Sequence, residues 1–315
     1  MRKSELAPKP FDIVPFESKP ELRALTGHDR FGDASSGKAV FEIKTLTPLH
    51  IGSGIWTVEK GEVVREFIEV NGKRVIPGSS LKGVFRMVAE TISRSCVCKT
   101  SAKRLSINGL RECEVKDGKG KLCPTCSLFG AMGFKGRVHF TDSILKSGKT
   151  GIRNIPPLYG PRPDSRIYKD TTGQYRGRKF YFHGEPSRGK EPVRVIEAGS
   201  VWECEMGFEN LSEHELGLML VSVGAIGGLI PKMGGAKPVC FGSFRVKAVR
   251  LEIRQMTQDL VSYSAKPEVL ESQSLASYLD TIWRADNPLI LTNSFQRLKT
   301  IWNYPTVRKC PFAMY

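Results

Sequence analysis

Residues 76–89 read Ile76-Pro77-Gly78-Ser79-Ser80-Leu81-Lys82-Gly83-Val84-Phe85-Arg86-Met87-Val88-Ala89. A strand-like run, Glu66 to Val75, precedes them. The spacing of Leu81, Val84, Phe85, Val88 and Ile92 predicts a helix over residues 79–93. A strand that turns into a helix through Gly and Ser leaves unpaired backbone N–H groups at the helix start. Two hydroxyls, Ser79 and Ser80, and two cations on one helical face, Lys82 and Arg86, make that start suited to a phosphate chain. The competing reading is an ordinary capped helix with exposed basic residues.

Outward from this turn, Ala39 to Leu46 alternates as a strand, and Thr47 to Gly54 is a turn-rich loop. Gly136 to Thr141 and Val201 to Phe208 predict further strands, Glu213 to Gly224 a helix, and Val239 to Ile253 a strand. Residues 294–302 predict a last helix, stopped near Pro305. With the insertions set aside, the order is strand, helix, strand, strand, helix, strand. That is the α+β order of a ferredoxin-like fold, whose free sheet face carries RNA in RNA-recognition modules. Residues 1–36, rich in Pro, Lys, Ser and Gly, read as an extended arm.

The chain has 315 residues and a formal net charge of +16. Its cations recur in several loops, as along a groove for a polyanion, and nucleic acid is the natural partner. No apolar run approaches the ~18 residues of a membrane span, and the N-terminus lacks the apolar core of a secretion signal. A cytoplasmic protein is expected. Its eight cysteines then read as reduced thiols or metal ligands before disulfides.

Cys123-Pro124-Thr125-Cys126 has the spacer that lets two thiolates reach one tetrahedral ion. Cys113 and one of Cys96 or Cys98 complete the site, with His139 a weaker substitute, so four of five cysteines are expected to hold a structural Zn2+; buried free cysteines or a redox CxxC pair are the competing readings. Cys204, Cys240 and Cys310 read as packing residues. The segment Gly227 to Pro238, followed by Gly242, allows close backbone approach to a ligand, with Lys232 and Lys237 supplying charge. In residues 175–183, the cations Arg176, Arg178 and Lys179 interleave with aromatic residues, a pattern that suits phosphates and stacked bases.

Together these segments resemble the RAMP superfamily, the RNA-backbone subunits of type III CRISPR effector complexes. The resemblance rests on Thr47 to Gly54, Ile76 to Gly83, Cys123 to Gly130, Gly136 to Asp142, Gly177 to Tyr181 and the glycine loop ending Phe241-Gly242-Ser243. The cysteine insertion and the Arg-Lys-Phe-Tyr segment look most like the type III-D branch. The resemblance implies one domain over 37–315, with a zinc-bearing insertion at 95–128 and a thumb insertion at 144–199. It implies that His50, Ser79, Ser80, Lys82 and Arg86 line a CRISPR guide RNA. Gly234, Gly235, Lys237 and Gly242 belong to its glycine loop, and Arg178, Lys179 and Tyr181 to a thumb that displaces bases. Complementary target RNA and other effector subunits are the implied partners, with no membrane. Cleaving members carry an aspartate in the stretch matching 55–75, where this chain has none. Glu62 is nearest that place, and Asp33 of the arm is a second candidate for target cleavage with Mg2+ or Mn2+. Metal-independent guide processing, using His28, His50 or a tyrosine, is the third alternative.

Overall fold

The computed structural model describes residues 9–16, 19–25, 28, 34–97, 110–160, 165–255, 257, 261–262 and 266–311. The early strands are β1 (Phe11–Pro15), β2 (Arg23–Ala24), β3 (Ser35–Thr45), β4 (Gly52–Glu59), β5 (Glu62–Phe67), β6 (Glu69–Val70) and β7 (Lys73–Ile76). The middle of the chain gives β8 (Lys121–Leu122), β9 (Val138–Phe140), β10 (Ser143–Ser147), β11 (Thr150–Ile155), β12 (Gly177–Tyr181) and β13 (Glu191–Ile196). Then come β14 (Val201–Leu211), β15 (Phe244–Gln255) and β16 (Glu268–Glu271). The helices are α1 (Gly78–Ile92), α2 (Pro124–Phe129), α3 (Glu213–Val223), α4 (Ser272–Arg284) and α5 (Thr292–Ile301).

Side-chain alternation builds the main sheet. On β3, Ala39, Phe41, Ile43 and Thr45 are buried while Lys38 and Lys44 are exposed, the period of a strand with one wet face. Its neighbours β14 and β15 bury Trp202, Cys204 and Met206, and Phe244, Val246, Leu251 and Ile253. Val246 and Leu251 both point inward although five residues apart. A bulge between Ala248 and Arg250 shifts the alternation by one. The strand order is β16–β15–β3–β14–β10–β7–β6, with β9 also beside β14. Helices α1 and α3 pack together, and their buried Leu81, Phe85, Val88, Leu216 and Leu220 join the same core as the inner faces of β3, β14 and β15. Ser212 and Glu215 form a capping box at the start of α3, and left-handed Gly224 ends it.

A second sheet runs β11–β13–β5–β4. Its pairs are antiparallel except β13 with β5, and the whole is a mixed α+β protein of mostly antiparallel sheets. Buried Ile155, Val193 and Val195 pack this sheet onto Ala236, Val239 and Phe241 of the glycine-rich segment. The strand expected over residues 66–75 is broken. Asn71 and Gly72 take positive φ values of 51° and 73°, a hairpin turn between β6 and β7. Lys60 and Gly61 do the same between β4 and β5. The predicted arm contributes β1, which pairs antiparallel with β12. The strand expected from Val239 begins at Phe244, because residues 237–239 form a 3₁₀ turn. Cys240 and Cys310, read from sequence as packing residues, are joined by a disulfide that ties the C-terminal segment to the glycine-rich loop.

One buried ion pair secures the cysteine-bearing insertion to the core. The fully buried Arg137 donates to the Glu215 carboxylate, to the Ser127 hydroxyl at 2.6 Å and to the Asn210 carbonyl. Arg137→Met removes the cation paired with Glu215, leaving that partly buried carboxylate only its Ser212 capping bonds, and takes this donor from the Ser127 hydroxyl. It is expected to cost about 3–5 kcal/mol of unfolding free energy. Urea denaturation measures this, and a loss below about 1 kcal/mol, typical of a surface pair, would contradict it.

Candidate nucleic-acid interface

The two turns that carry the family-like motifs, Thr47–Gly54 and the glycine loop, lie almost two hundred residues apart and meet face to face. Gly242 N–H donates to the Pro48 carbonyl at 2.9 Å, and Gly235 N–H to the His50 carbonyl at 2.7 Å. A Cβ on Gly234 would stand 2.4 Å from the His50 oxygen, and one on Gly242 would stand 1.9 Å from the Met233 oxygen. Both glycines have φ of +78°, so spacing and conformation alike demand glycine. His50 is buried under this loop. Its Nδ1 donates to the Arg194 carbonyl at 2.7 Å, and burial lowers its pKa. The lowered pKa favours the neutral ring.

Lys232, expected to face RNA, lies 2% exposed inside the loop. Its Nζ donates to Ser243 Oγ at 3.2 Å; that hydroxyl lies 2.8 Å from His183 Nδ1, and His183 Nε2 donates to the Ile230 carbonyl at 2.9 Å. Burial, reinforced by Lys237, pushes the Lys232 pKa down to about 7. Burial and the Lys232 charge take His183 to about 3. Lys237 is half-buried, with Nζ on the Gly234 carbonyl at 2.6 Å. After burial, the charge of Lys179 lowers its pKa further, so the strand β12 cation and the glycine loop share one field. Lys179 Nζ sits 4.9–5.2 Å from the ring centroids of Tyr181, Tyr168 and Phe11. Burial raises the Tyr181 pKa.

Arg178 and Arg86 turn away from any such surface. Both pair with Glu90, whose side chain is 2% exposed. Arg86 also donates to the Gly130 carbonyl at 3.0 Å and to Cys126 Sγ at 3.3 Å. The shared helical face of Lys82 and Arg86 thus ends in different surroundings. Lys82 has no carboxylate partner among the described residues, and burial beside Arg86 lowers its pKa, a setting that favours an incoming anion. Ser79 is exposed and Ser80 half-buried in the same turn. Part of the expected cradle is already filled: Asp142 Oδ1 accepts from Gly78 N–H at 2.8 Å.

Cys96, Cys113, Cys123 and Cys126 are buried, with all four sulfurs within 4.8 Å of one another. Cys98 lies outside the described residues. Cys123 caps α2 and accepts from Cys126 N–H at 3.4 Å. Hydrogen bonds from Cys113, Cys126 and Cys96 hold the Cys123 thiol far toward the thiolate. The Sγ–Sγ distances of 3.4 and 3.6 Å approach the ~3.8 Å edge of a tetrahedron with ~2.3 Å zinc–sulfur bonds. These four residues can hold a metal ion.

The free face of the main sheet does not offer a stacking platform. Lys38 pairs with Glu205 at 3.2 Å, Lys146 with Glu203 at 2.9 Å, and Glu42 stands opposite Lys247. Charges of both signs neutralise each other where an RNA-recognition sheet would carry aromatic rings. An exposed aromatic ring lies on the second sheet instead. Trp56, 61% exposed, projects from the β4–β5 hairpin with Val58 and Val63, and the Arg65 guanidinium lies 5.8 Å from its ring centroid. Arg65 is in register with Val193, which packs under the glycine loop, so hairpin and loop share one side of the second sheet. Sequence reading missed this hairpin, although Lys60-Gly61 between alternating apolar residues signals it. Glu62 is exposed across from Glu59, whose carboxylate Arg194 holds at 2.5 Å. Asp33 lies outside the described residues. Among those residues, the four cysteines are the one group of three or more metal-ligating side chains that converges. His28 is held between Glu209 at 2.6 Å and the Lys135 carbonyl at 3.1 Å.

Residues 42–245 match the model of the RAMP superfamily, and the chain belongs to that family of CRISPR-associated RNA-binding proteins. No curated protein matches it. No helix among the described residues is long and apolar enough to cross a membrane.

The buried Lys232 sets a pH dependence. Its folded pKa is lowered, so between about 7 and the ordinary 10.5 the unfolded chain binds the extra proton. Stability from this group is complete above the upper value, falls as pH drops through the window and is lost by about pH 7. The difference in melting temperature between the protein and Lys232→Met should therefore shift in favour of the parent as pH rises from 7 to 10. The slope is at most about 1.4 kcal/mol per pH unit. A pH-independent difference would contradict the burial of Lys232 on a neutral hydroxyl.

Proposed function

We propose that this chain is a guide-RNA-holding backbone subunit of a type III CRISPR effector complex, of the type III-D branch, acting in the cytoplasm beside other effector subunits. The observation that carries the reading is the seating of the glycine loop on the Pro48–His50 turn. Two distant motifs there form one ledge, flanked by Lys237, Lys179 and Tyr181. A backbone with no side chain in the way lets a phosphodiester chain approach closely. The fold supports the same reading. Strands β3, β10, β14 and β15, with α1 and α3, follow the ferredoxin-like order and lie as β15–β3–β14–β10.

The base-displacing role passes from β12 to the β4–β5 hairpin. Strand β12 is paired with β1 and pinned by Arg178 to Glu90, whereas Trp56 and Val58 stand clear of the core. A ring and β-branched side chains on a two-stranded ribbon make a wedge between stacked bases. Holding RNA is better supported than cutting it, because no carboxylates converge on Glu62 among the described residues. Cleavage of a guide-paired target only with Mg2+ or Mn2+, lost in Glu62→Gln with binding spared, would restore the endonuclease alternative. Precursor cleavage in EDTA would favour guide processing.

RNA affinity should be electrostatic and indifferent to sequence. With ~5 phosphate contacts on a single strand, log affinity falls with log salt at a slope near −3.5. Lys82→Ala with Lys179→Ala should shallow that slope by roughly 1.4. Fluorescence anisotropy across a salt series measures both, and an unchanged slope in the folded double variant contradicts the assignment.

The metal is zinc, held by Cys96, Cys113, Cys123 and Cys126, with a purely structural role. Elemental analysis should find one zinc per chain, and none in Cys123→Ser with Cys126→Ser. The Arg86–Glu90–Arg178 network touches Cys126, so that variant should also loosen β12, read as faster amide exchange at residues 177–181. A native protein without bound metal would contradict this.

A further inference from the structure

A cavity of about 460 Å3 opens where residues 9–13, 165–176 and 308–311 converge, with none of the four clustered cysteines in its lining and the Cys240–Cys310 disulfide joining its C-terminal wall to the glycine loop. Its lining includes the rings of Phe11, Tyr168 and Phe182. Phe11 and Tyr168 lie with centroids 5.6 Å apart and planes tilted by 30°. The Arg308 guanidinium stands 4.0 Å from the centroid of Phe182. Lys9, Arg176 and Lys309 add three more cations to the lining. Among the described lining residues Asp12 is the one carboxylate, and Arg297 neutralises it at 2.6 Å. The cavity therefore offers flat apolar walls and an excess of positive charge together.

That combination selects a planar ring carrying an anion. Aromatic faces stack on a base, and a guanidinium both stacks and donates in pairs to phosphate oxygens. The volume is in the range of small-ligand pockets, ~300–1,000 Å3, and suits one nucleotide. We propose that this cavity binds a single ribonucleotide, its base against Phe11, Tyr168 and Phe182 and its phosphate on Arg308 and the neighbouring cations. The nucleotide is either free or an unstacked residue of bound RNA; only this second source rests on the guide-RNA reading.

The test is calorimetric titration of the full chain with adenosine and uridine 5′-monophosphates, adenosine, inorganic phosphate and a trinucleotide RNA. The variants are Arg308→Ala and Tyr168→Ala, with Arg284→Ala as a surface-charge control and circular dichroism melts to check folding. Monophosphates should bind more tightly than adenosine or phosphate alone. Arg308→Ala and Tyr168→Ala should each weaken binding about tenfold, and the control should not. If only the trinucleotide binds and responds in this way, the site serves bound RNA and the proposal stands. If folded variants bind monophosphates and trinucleotide as the parent does, or the parent binds neither, it is overturned. Guide-RNA binding by the parent is scored separately by its salt slope, so loss of one reading leaves the other measurable.

Discussion

Close approach of backbone to backbone is the constraint on which this protein is arranged. The His50 and Met233 carbonyls occupy the space that side chains at positions 234 and 242 would need. Amide donation from Gly235 and Gly242 then locks the loop onto the end of β3. Beneath it, Phe241, Val239 and Ala236 pack against Val193 and Val195, so the same loop glues the second sheet to the first. A single substitution there would disturb both the ledge and the joint between sheets. That double duty explains why a segment so rich in glycine is nevertheless ordered.

Polar groups buried around this joint are satisfied in a directed way. Lys232 donates to Ser243 Oγ, the hydroxyl donates to His183 Nδ1, and His183 Nε2 donates to a carbonyl. The order fixes a neutral histidine tautomer without any carboxylate nearby. At the other side of the molecule, Glu90 carries two arginines at once, one from its own helix and one from β12. Through Arg86 the same carboxylate is one step from Cys126 Sγ. The cysteine cluster, the central helix and the strand bearing Lys179 are thereby joined through one carboxylate.

Local signals in the sequence carried much of this. The helix over 79–93, the capped helix after Ser212 and the alternation of β3 and β14 follow from periodicity and caps, which depend on near neighbours. The Cys123/Cys126 spacer and Cys113 located the cysteine cluster, but bringing Cys96 to it required the fold of the insertion. What escaped were properties set by distant partners. The four-residue spacings of Lys82, Arg86 and Glu90 give one helical face and a legible Arg86–Glu90 pair, yet nothing local says that Gly130 and Cys126 also gather around Arg86. Lys232 read as a surface cation because its burial depends on Ser243 and on packing around the loop. Phe11–Pro15 read as arm because its partner, β12, lies far along the chain. The Asn71-Gly72 and Lys60-Gly61 turns were legible, and their neglect concealed the Trp56 hairpin.

The central claim is that RNA runs along the glycine ledge and not across the open sheet. Photocrosslinking of a 4-thiouridine-substituted guide RNA, with the adducts mapped by mass spectrometry, tests it most directly. Adducts should fall within residues 48–66, 177–182 and 232–243. Adducts confined to Lys38–Lys44 and Arg245–Lys247, on the open face of the main sheet, would contradict it.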